Sequence, residues 1–323
     1  CRNMLSITIG SKLSSFGFNA FENCNFLVEI YNRSEMKITT EDHPSYNGGL
    51  TSNALNVYTP IDGSKKLWCS DDGFIFYEGE PYCYLMKYIG EKSEIVFPKS
   101  CNGKKYRIYD NAFHERTDIE SVSFSDGVEY IGNEAFYGCT GIESVSFSDG
   151  VEYIGNWAFR GCTGIESLSL PGTMTDIGAG AFENCKELKR VVLENGLLNI
   201  SRDLFYGCTS LGSIEIPDTV IWVGDNAFRN TAYYNDESNW ENGILYAGEY
   251  LLDSNVGVSG VCKIKDGTRV IASCAFDNRS GITELVLPDT LDSIGSWAFR
   301  HCIGIKEIVI PDGIERISSE AMR

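Results

Sequence analysis

Asp126 and Asp149 stand 23 residues apart, at the same place in two nearly identical stretches, IESVSFSDGVEYIGNEAFYGC and IESVSFSDGVEYIGNWAFRGC. If these stretches stack at strand spacing, the two carboxyls come within about 5 Å, the separation of a retaining glycosidase pair. The same place holds Asp218, Asp289 and Asp312 in later stretches, always in a turn after a strand-like run. A turn-forming Asp that recurs because its turn recurs accounts for all five, so the pair is not assigned as catalytic.

Cysteine raises a second possibility. Cys1, Cys24, Cys139, Cys162, Cys185, Cys208 and Cys302 share one repeat position. A zinc site wants short Cys-x2–4-Cys pairs, and the spacing supplies none, so these thiols read as small buried hydrophobes beside aromatic rings. Cys262 falls on an inward strand position and reads as core. Cys274 has no clear place, and a disulfide among Cys69, Cys83 and Cys101 is open without a choice of pairing. The three histidines, His43, His114 and His301, share no phase with an acid or nucleophile. The run NDESNW (235–240) alternates oxygen ligands but lacks the Gly and distal Glu of a calcium loop. No phosphate-binding, zinc-protease or dinucleotide motif occurs. No cofactor or metal is expected.

The residues are positioned by repetition. Residues 119–141 and 142–164 differ only where Glu134 becomes Trp157 and Tyr137 becomes Arg160. The dipeptide Ala-Phe ends at Phe21, Phe113, Phe136, Phe159, Phe182, Phe228, Phe276 and Phe299, with Leu204-Phe205 as a variant. The step is 23 from Phe113 to Phe228, 48 from Phe228 to Phe276, and 92 from Phe21 to Phe113. Within each block, Ile142, Val145 and Phe147 read as an inward strand, SDG or PDG/PDT as a turn, and VEYIG as a second apolar run. Asn, Asp or Ser then caps a short helical turn carrying the Ala and the Phe. One block cannot bury both its sides, and stacking copies of itself can.

Quoted together, IPDTVIWVGDNAFRN, LPDTLDSIGSWAFRHCIGIKEIVIPDGIERI and SLPGTMTDIGAGAFENCKELKRVVL resemble the BspA-like, or treponemal-type, leucine-rich repeat family. The resemblance implies an α/β repeat solenoid: a right-handed curved stack with a parallel β ladder on the concave face and short helical turns on the convex face. It also implies export to the bacterial cell surface and roles in adhesion or macromolecular contact, with no catalytic residues to carry over.

One solenoid over 1–323 is expected, with repeats in 1–40, regular 23-residue repeats in 111–230 and repeats in 271–323. Residues 41–110 read as an irregular loop (41–70) plus a hairpin-type insert, and 231–270 as a second insert, both hairpins projecting from the stack. Cys1 and SSEAMR both fall mid-repeat, so both ends read as truncated.

Outward strand positions offer a concave binding face: Glu143, Ser144, Ser146, Glu166, Ser169, Arg190, Glu215, Glu284 and Glu307. The alternative is a solvated strand surface. On the convex side, Trp157 with Arg160 and Trp297 with Arg300 sit three residues apart and suit cation–π stacking, unless each Trp merely covers its neighbouring coil. A formal charge of −18 argues against nucleic acid and anionic lipid, and no apolar run is long enough to span a membrane. The expected function is a non-enzymatic, exported module binding a protein or glycan of a host, matrix or cell surface. The alternatives are a structural spacer in a larger surface protein and, less favoured, a polysaccharide-active solenoid enzyme.

Overall fold

The computed structural model describes residues 4–34, 36–38, 49, 50, 52, 54, 56–58 and 66–323. They form two compact units, Cys1–Cys69 with Phe76–Pro81, and Ser70–Ile75 with Tyr82–Arg323. The fold class is the expected one, a β-solenoid with parallel strand ladders.

In the first unit, strands Ser6–Ile9, Glu29–Asn32 and Asn56–Tyr58 pair in parallel, Ile7 against Ile30 and Ile30 against Val57. Ile9, Cys24, Leu27, Ile30, Ile38 and Leu50 bury together as its core. The 41–70 stretch, expected as loop, contains the strands Asn56–Tyr58 and Leu67–Cys69. Cys1 and His43 lie outside the described residues, as do 41–48, 51, 53, 55 and 59–65 of that stretch.

In the second unit the strands form two ladders. The first ladder runs through Glu94–Val96, Ser121–Ser123 and Ser144–Ser146, continues with Ser167–Leu170 on Arg190–Leu193, and is resumed by Gly260–Lys263 on Ile282–Val286. The second runs through Cys83–Tyr88, Tyr106–Ile108, Val128–Ile131, Tyr153–Ile154 and Asp176–Ile177. Because the register is a whole repeat, like meets like: Ile131 pairs with Ile154, and Ile154 with Ile177. These isoleucines are fully buried.

The third side of each coil is the Ala-Phe turn, and here the structure differs from the short helix expected. Among the described residues the only α-helix is Ala232–Asn235. The Ala-Phe segments are chains of turns in which the residue before Ala takes a left-handed backbone, φ 53° at Glu134, 54° at Trp157 and 56° at Trp297. A second left-handed residue follows four positions later, Gly138, Gly161 or His301. That alternation aims every other N–H at the next coil: Glu134, Phe136 and Gly138 donate to the carbonyls of Asn156, Ala158 and Arg160 at 2.7–2.9 Å. Helical hydrogen bonding within the turn would forfeit these bonds. The Asn side chain also caps the next coil rather than its own turn, with Asn156 N–H donating to Asn133 Oδ1 at 2.9 Å.

Inside the turns, Phe113, Phe136, Phe159, Phe182, Phe205 and Phe228 form one file, with successive ring centroids 4.7, 4.9, 5.3, 5.9 and 5.7 Å apart. Beside it runs the cysteine file. Cys139, Cys162, Cys185 and Cys208 are buried, and each thiol donates to the Phe carbonyl of the preceding coil at 3.0–3.4 Å. Gly155 is where coils touch: a Cβ there would lie 2.6 Å from the Asn133 nitrogen.

The second insert does not project as expected. Ile244–Ala247 and Tyr250–Ser254 do form an antiparallel hairpin, but Tyr250–Ser254 also pairs in parallel with Val270–Ile271. The hairpin thus occupies a rung of the second ladder, followed by Ser293–Ile294 and Arg316–Ile317. It supplies core residues such as Leu245 and Leu251, each fully buried, but no Ala-Phe turn.

Candidate functional site

On the first ladder, alternation turns one side chain in two toward solvent. The register aligns Glu94 with Ser121 and Ser144, and Val96 with Ser123 and Ser146, in one run of strands, and Ser167 with Arg190 and Ser169 with Val192 in the next. Ser144, Ser146, Ser167 and Ser169 are exposed, and Val96 and Val192, at 71% and 38% exposure, bound the serine stripe. Glu143 and Glu166 stand exposed beside it, with Lys189 ion-paired to Glu166 at 3.0 Å. Glu215, Glu284 and Glu307 are exposed in later coils, so the predicted residues share one face type without converging on a point. Asp126 and Asp149 occupy exposed turns.

On the turn face the two Trp-Arg pairs diverge. Arg300 lies over Trp297, 5.4 Å from the ring centroid, and the Trp297 indole N–H donates to Glu320 at 2.8 Å. Arg160 instead lies over Tyr137, one coil back, and ion-pairs with Glu183, one coil on, at 3.0 Å. Trp157 leans on Gly180, where a Cβ would meet its ring at 2.7 Å. An Arg between two coils takes the nearer ring and the nearer acid, so a spacing of three within one coil did not decide the partner. His114 stacks on Tyr137 with centroids 4.8 Å apart, and His301 faces Asp277 at 3.6 Å.

A cleft of about 710 Å³ opens on this face where the hairpin coil lacks its turn. One wall is Asp225, Asn226, Phe228 and Arg229, and the opposite wall is Ser273, Cys274, Asp277 and Arg279, with Arg300 also in the lining. Tyr234 and Trp240, from the segment that holds NDESNW, close one end. That segment is a Thr231-capped helical turn and an Asp236-capped 3-10 turn, not a cation loop. Arg300 binds Asp277 through Nε at 2.9 Å and holds its carboxyl below the ordinary value. Arg279 donates to the Ser254 hydroxyl at 3.0 Å and to its carbonyl. Burial, and then the neighbouring Asp203, pushes the Asp225 carboxyl up. Burial likewise raises Asp253, which accepts from the Tyr234 hydroxyl at 2.8 Å. The Cys274 thiol is pushed up to about 11, mainly by burial and then by Asp225, so it stays protonated and is a poor nucleophile at neutral pH.

The model of the BspA type leucine rich repeat region matches in six copies, over residues 1–52, 106–235 and 260–323. The chain belongs to this family. Solved structures of similar proteins include a leucine rich cell surface protein of Faecalibacterium prausnitzii, 22% identical, covering 80% of this chain and 86% of that one, with a TM-score of 0.43. The pneumococcal vaccine antigen PcpA is 16% identical over 79% of this chain and 78% of its own, with a TM-score of 0.46. The T. pallidum leucine rich repeat protein is 19% identical over 76% and 91%, with a TM-score of 0.38. No curated protein matches the chain.

One feature of this BspA-type chain escaped the sequence reading. The second ladder carries an outward column of Tyr84, Arg107, Tyr130 and Tyr153. In it, Tyr130 stacks on Tyr153 at 4.4 Å and Arg107 lies 3.3 Å over Tyr82. The VEYIG run already placed a Tyr there twice, one period apart, which was the available signal. The disulfide whose pairing the sequence left open among Cys69, Cys83 and Cys101 joins Cys83 to Cys101. Cys262 is buried, as its inward position implied. Among the described residues, no group of three or more His, Cys, Asp and Glu could hold a metal ion, and no helix is long and apolar enough to cross a membrane.

Proposed function

We propose that this chain is a non-enzymatic binding module of an exported surface protein, contacting a protein or glycan of a host, matrix or cell surface through its first-ladder face. The carrying observation is the outward serines of the first-ladder strands, register-matched within each run and framed by Val96 and Val192. Such a face is flat, costs little side-chain entropy to order, and offers hydroxyls for hydrogen bonds with apolar contact at both margins. The Trp297–Arg300 stack adds a second contact of the kind enriched at interaction hot spots. Export is supported by family membership and by the Cys83–Cys101 disulfide, since disulfides persist in oxidising compartments.

The test compares wild type with Glu143→Arg/Ser146→Arg and, separately, Trp157→Ala/Trp297→Ala, in binding of the purified chain to epithelial cells and immobilised matrix proteins. A tenfold or greater loss in the strand-face variant is expected. Equal binding by all three proteins removes both faces as contacts and leaves the spacer role.

A further inference from the structure

Every regular coil from Asn111 to Gly207 uses its turn in the same way. The N–H groups at the left-handed residue, the Phe two positions on and the residue two further donate to three carbonyls of the next coil at 2.7–3.1 Å. The coils beginning at Cys274 and Trp297 repeat the pattern at 2.7–3.4 Å. The coil at Asn226, between these two groups, does not: the N–H groups of Asn226, Phe228 and Asn230 have no backbone or side-chain acceptor among the described residues. Asn226 and Phe228 line the cleft and Asn230 follows Arg229 at the end of that wall; the cleft replaces the turn that would have supplied those acceptors.

The opposite wall is treated differently. Two of its three equivalent carbonyls are covered from within, Ala275 O by the Ser254 hydroxyl at 2.6 Å and Asp277 O by Arg279 at 2.8 Å. The cleft therefore has one wall with two of its three carbonyls covered and one wall with a row of open donors. Ser273, 5% exposed and in the lining, also keeps its hydroxyl without a partner. Asp225 has no ion pair among the described residues, because Arg202 beside it binds Asp203 at 3.2 Å.

The geometry points to this cleft as a binding site for an extended peptide segment of a partner protein, one carrying a Lys or Arg. Its carbonyls at i, i+2 and i+4 would accept from Asn226, Phe228 and Asn230, and its cation would meet Asp225. The donors serve three separate oxygens in every sibling coil, so they match acceptors strung along a polypeptide rather than the clustered oxygens of one phosphate or carboxylate. This is strand addition to an open edge, with the guest taking the place of the missing turn. It is independent of the first-ladder reading, and Ser146→Arg leaves it unchanged.

The experiment uses the full chain. Hydrogen exchange of the free protein shows the amides of Asn226, Phe228 and Asn230 exchanging at least a hundredfold faster than those of Phe136 and Phe159. Panning a phage-displayed random heptapeptide library then yields sequences rich in Lys or Arg. A selected peptide, made with a fluorescent label, protects the three amides and binds Asp225→Asn at least tenfold more weakly, while Glu187→Gln binds normally. Replacing alternate peptide amides by esters weakens binding with a period of two. Slow exchange at the three amides in the free chain overturns the proposal. So does failure of every selected peptide to protect them, or equal protection by acetate or inorganic phosphate alone.

Discussion

The thiol of Cys162 donates to the Phe136 carbonyl at 3.1 Å, and its burial pushes its pKa well above the ordinary value. The sequence placed this side chain correctly as an inert small hydrophobe, but gave no hint that it also answers a carbonyl of the coil before it. Charged residues of the cleft carry the clearest pH signature, with opposite signs at two positions. Asp277, lowered by Arg300, stabilises the fold above the unfolded carboxyl pKa, and that stability is lost as the pH falls through the folded value. Asp225 is raised, so ionising it costs stability as the pH rises past the unfolded pKa. Thermal melts should show Arg300→Met below wild type at pH 7, with the gap closing in acid. Asp225→Asn should melt at or above wild type at pH 7. A reversed order would show that burial does not govern these groups.

At the scale of the element, the strands were legible because alternation and the 23-residue step both mark them, whereas the turn was misread as helical. Helix propensity and capping rules assume that a segment satisfies its own backbone. Here the next coil satisfies it, and that demand forces Glu134 and Trp157 into a left-handed conformation that their residue types do not announce. The aromatic file carries a graded prediction. Phe159 has stacked rings on both sides, at 4.9 and 5.3 Å, while Phe228 stacks only on Phe205, at 5.7 Å, and ends the file at the cleft. Phe159→Ala should cost about 3–5 kcal/mol. Phe228→Ala should cost clearly less, read as urea midpoints at constant m-value. Equal losses would mean that the file is not a packed column.

For the whole molecule, the cleft shows why a repeat can be read and its interruption cannot. The 48-residue step from Phe228 to Phe276 announced extra chain. Nothing in it told that Tyr250–Ser254 keeps a place in the ladder while the coil forgoes its turn. The missing Ala-Phe between apolar strand runs was the trace. In the regular stretch, stability should behave as a sum of like coils and the contacts between them, and a change in repeat number tests this most directly. Deleting residues 142–164 joins Gly141 to Ile165 and removes one 23-residue coil. Deleting 142–163 removes one residue fewer and throws every later column out of phase. Calorimetry should show the first variant unfolding cooperatively within a few degrees of wild type and the second giving no transition. Indistinguishable melts for the two deletions would contradict stacking in register.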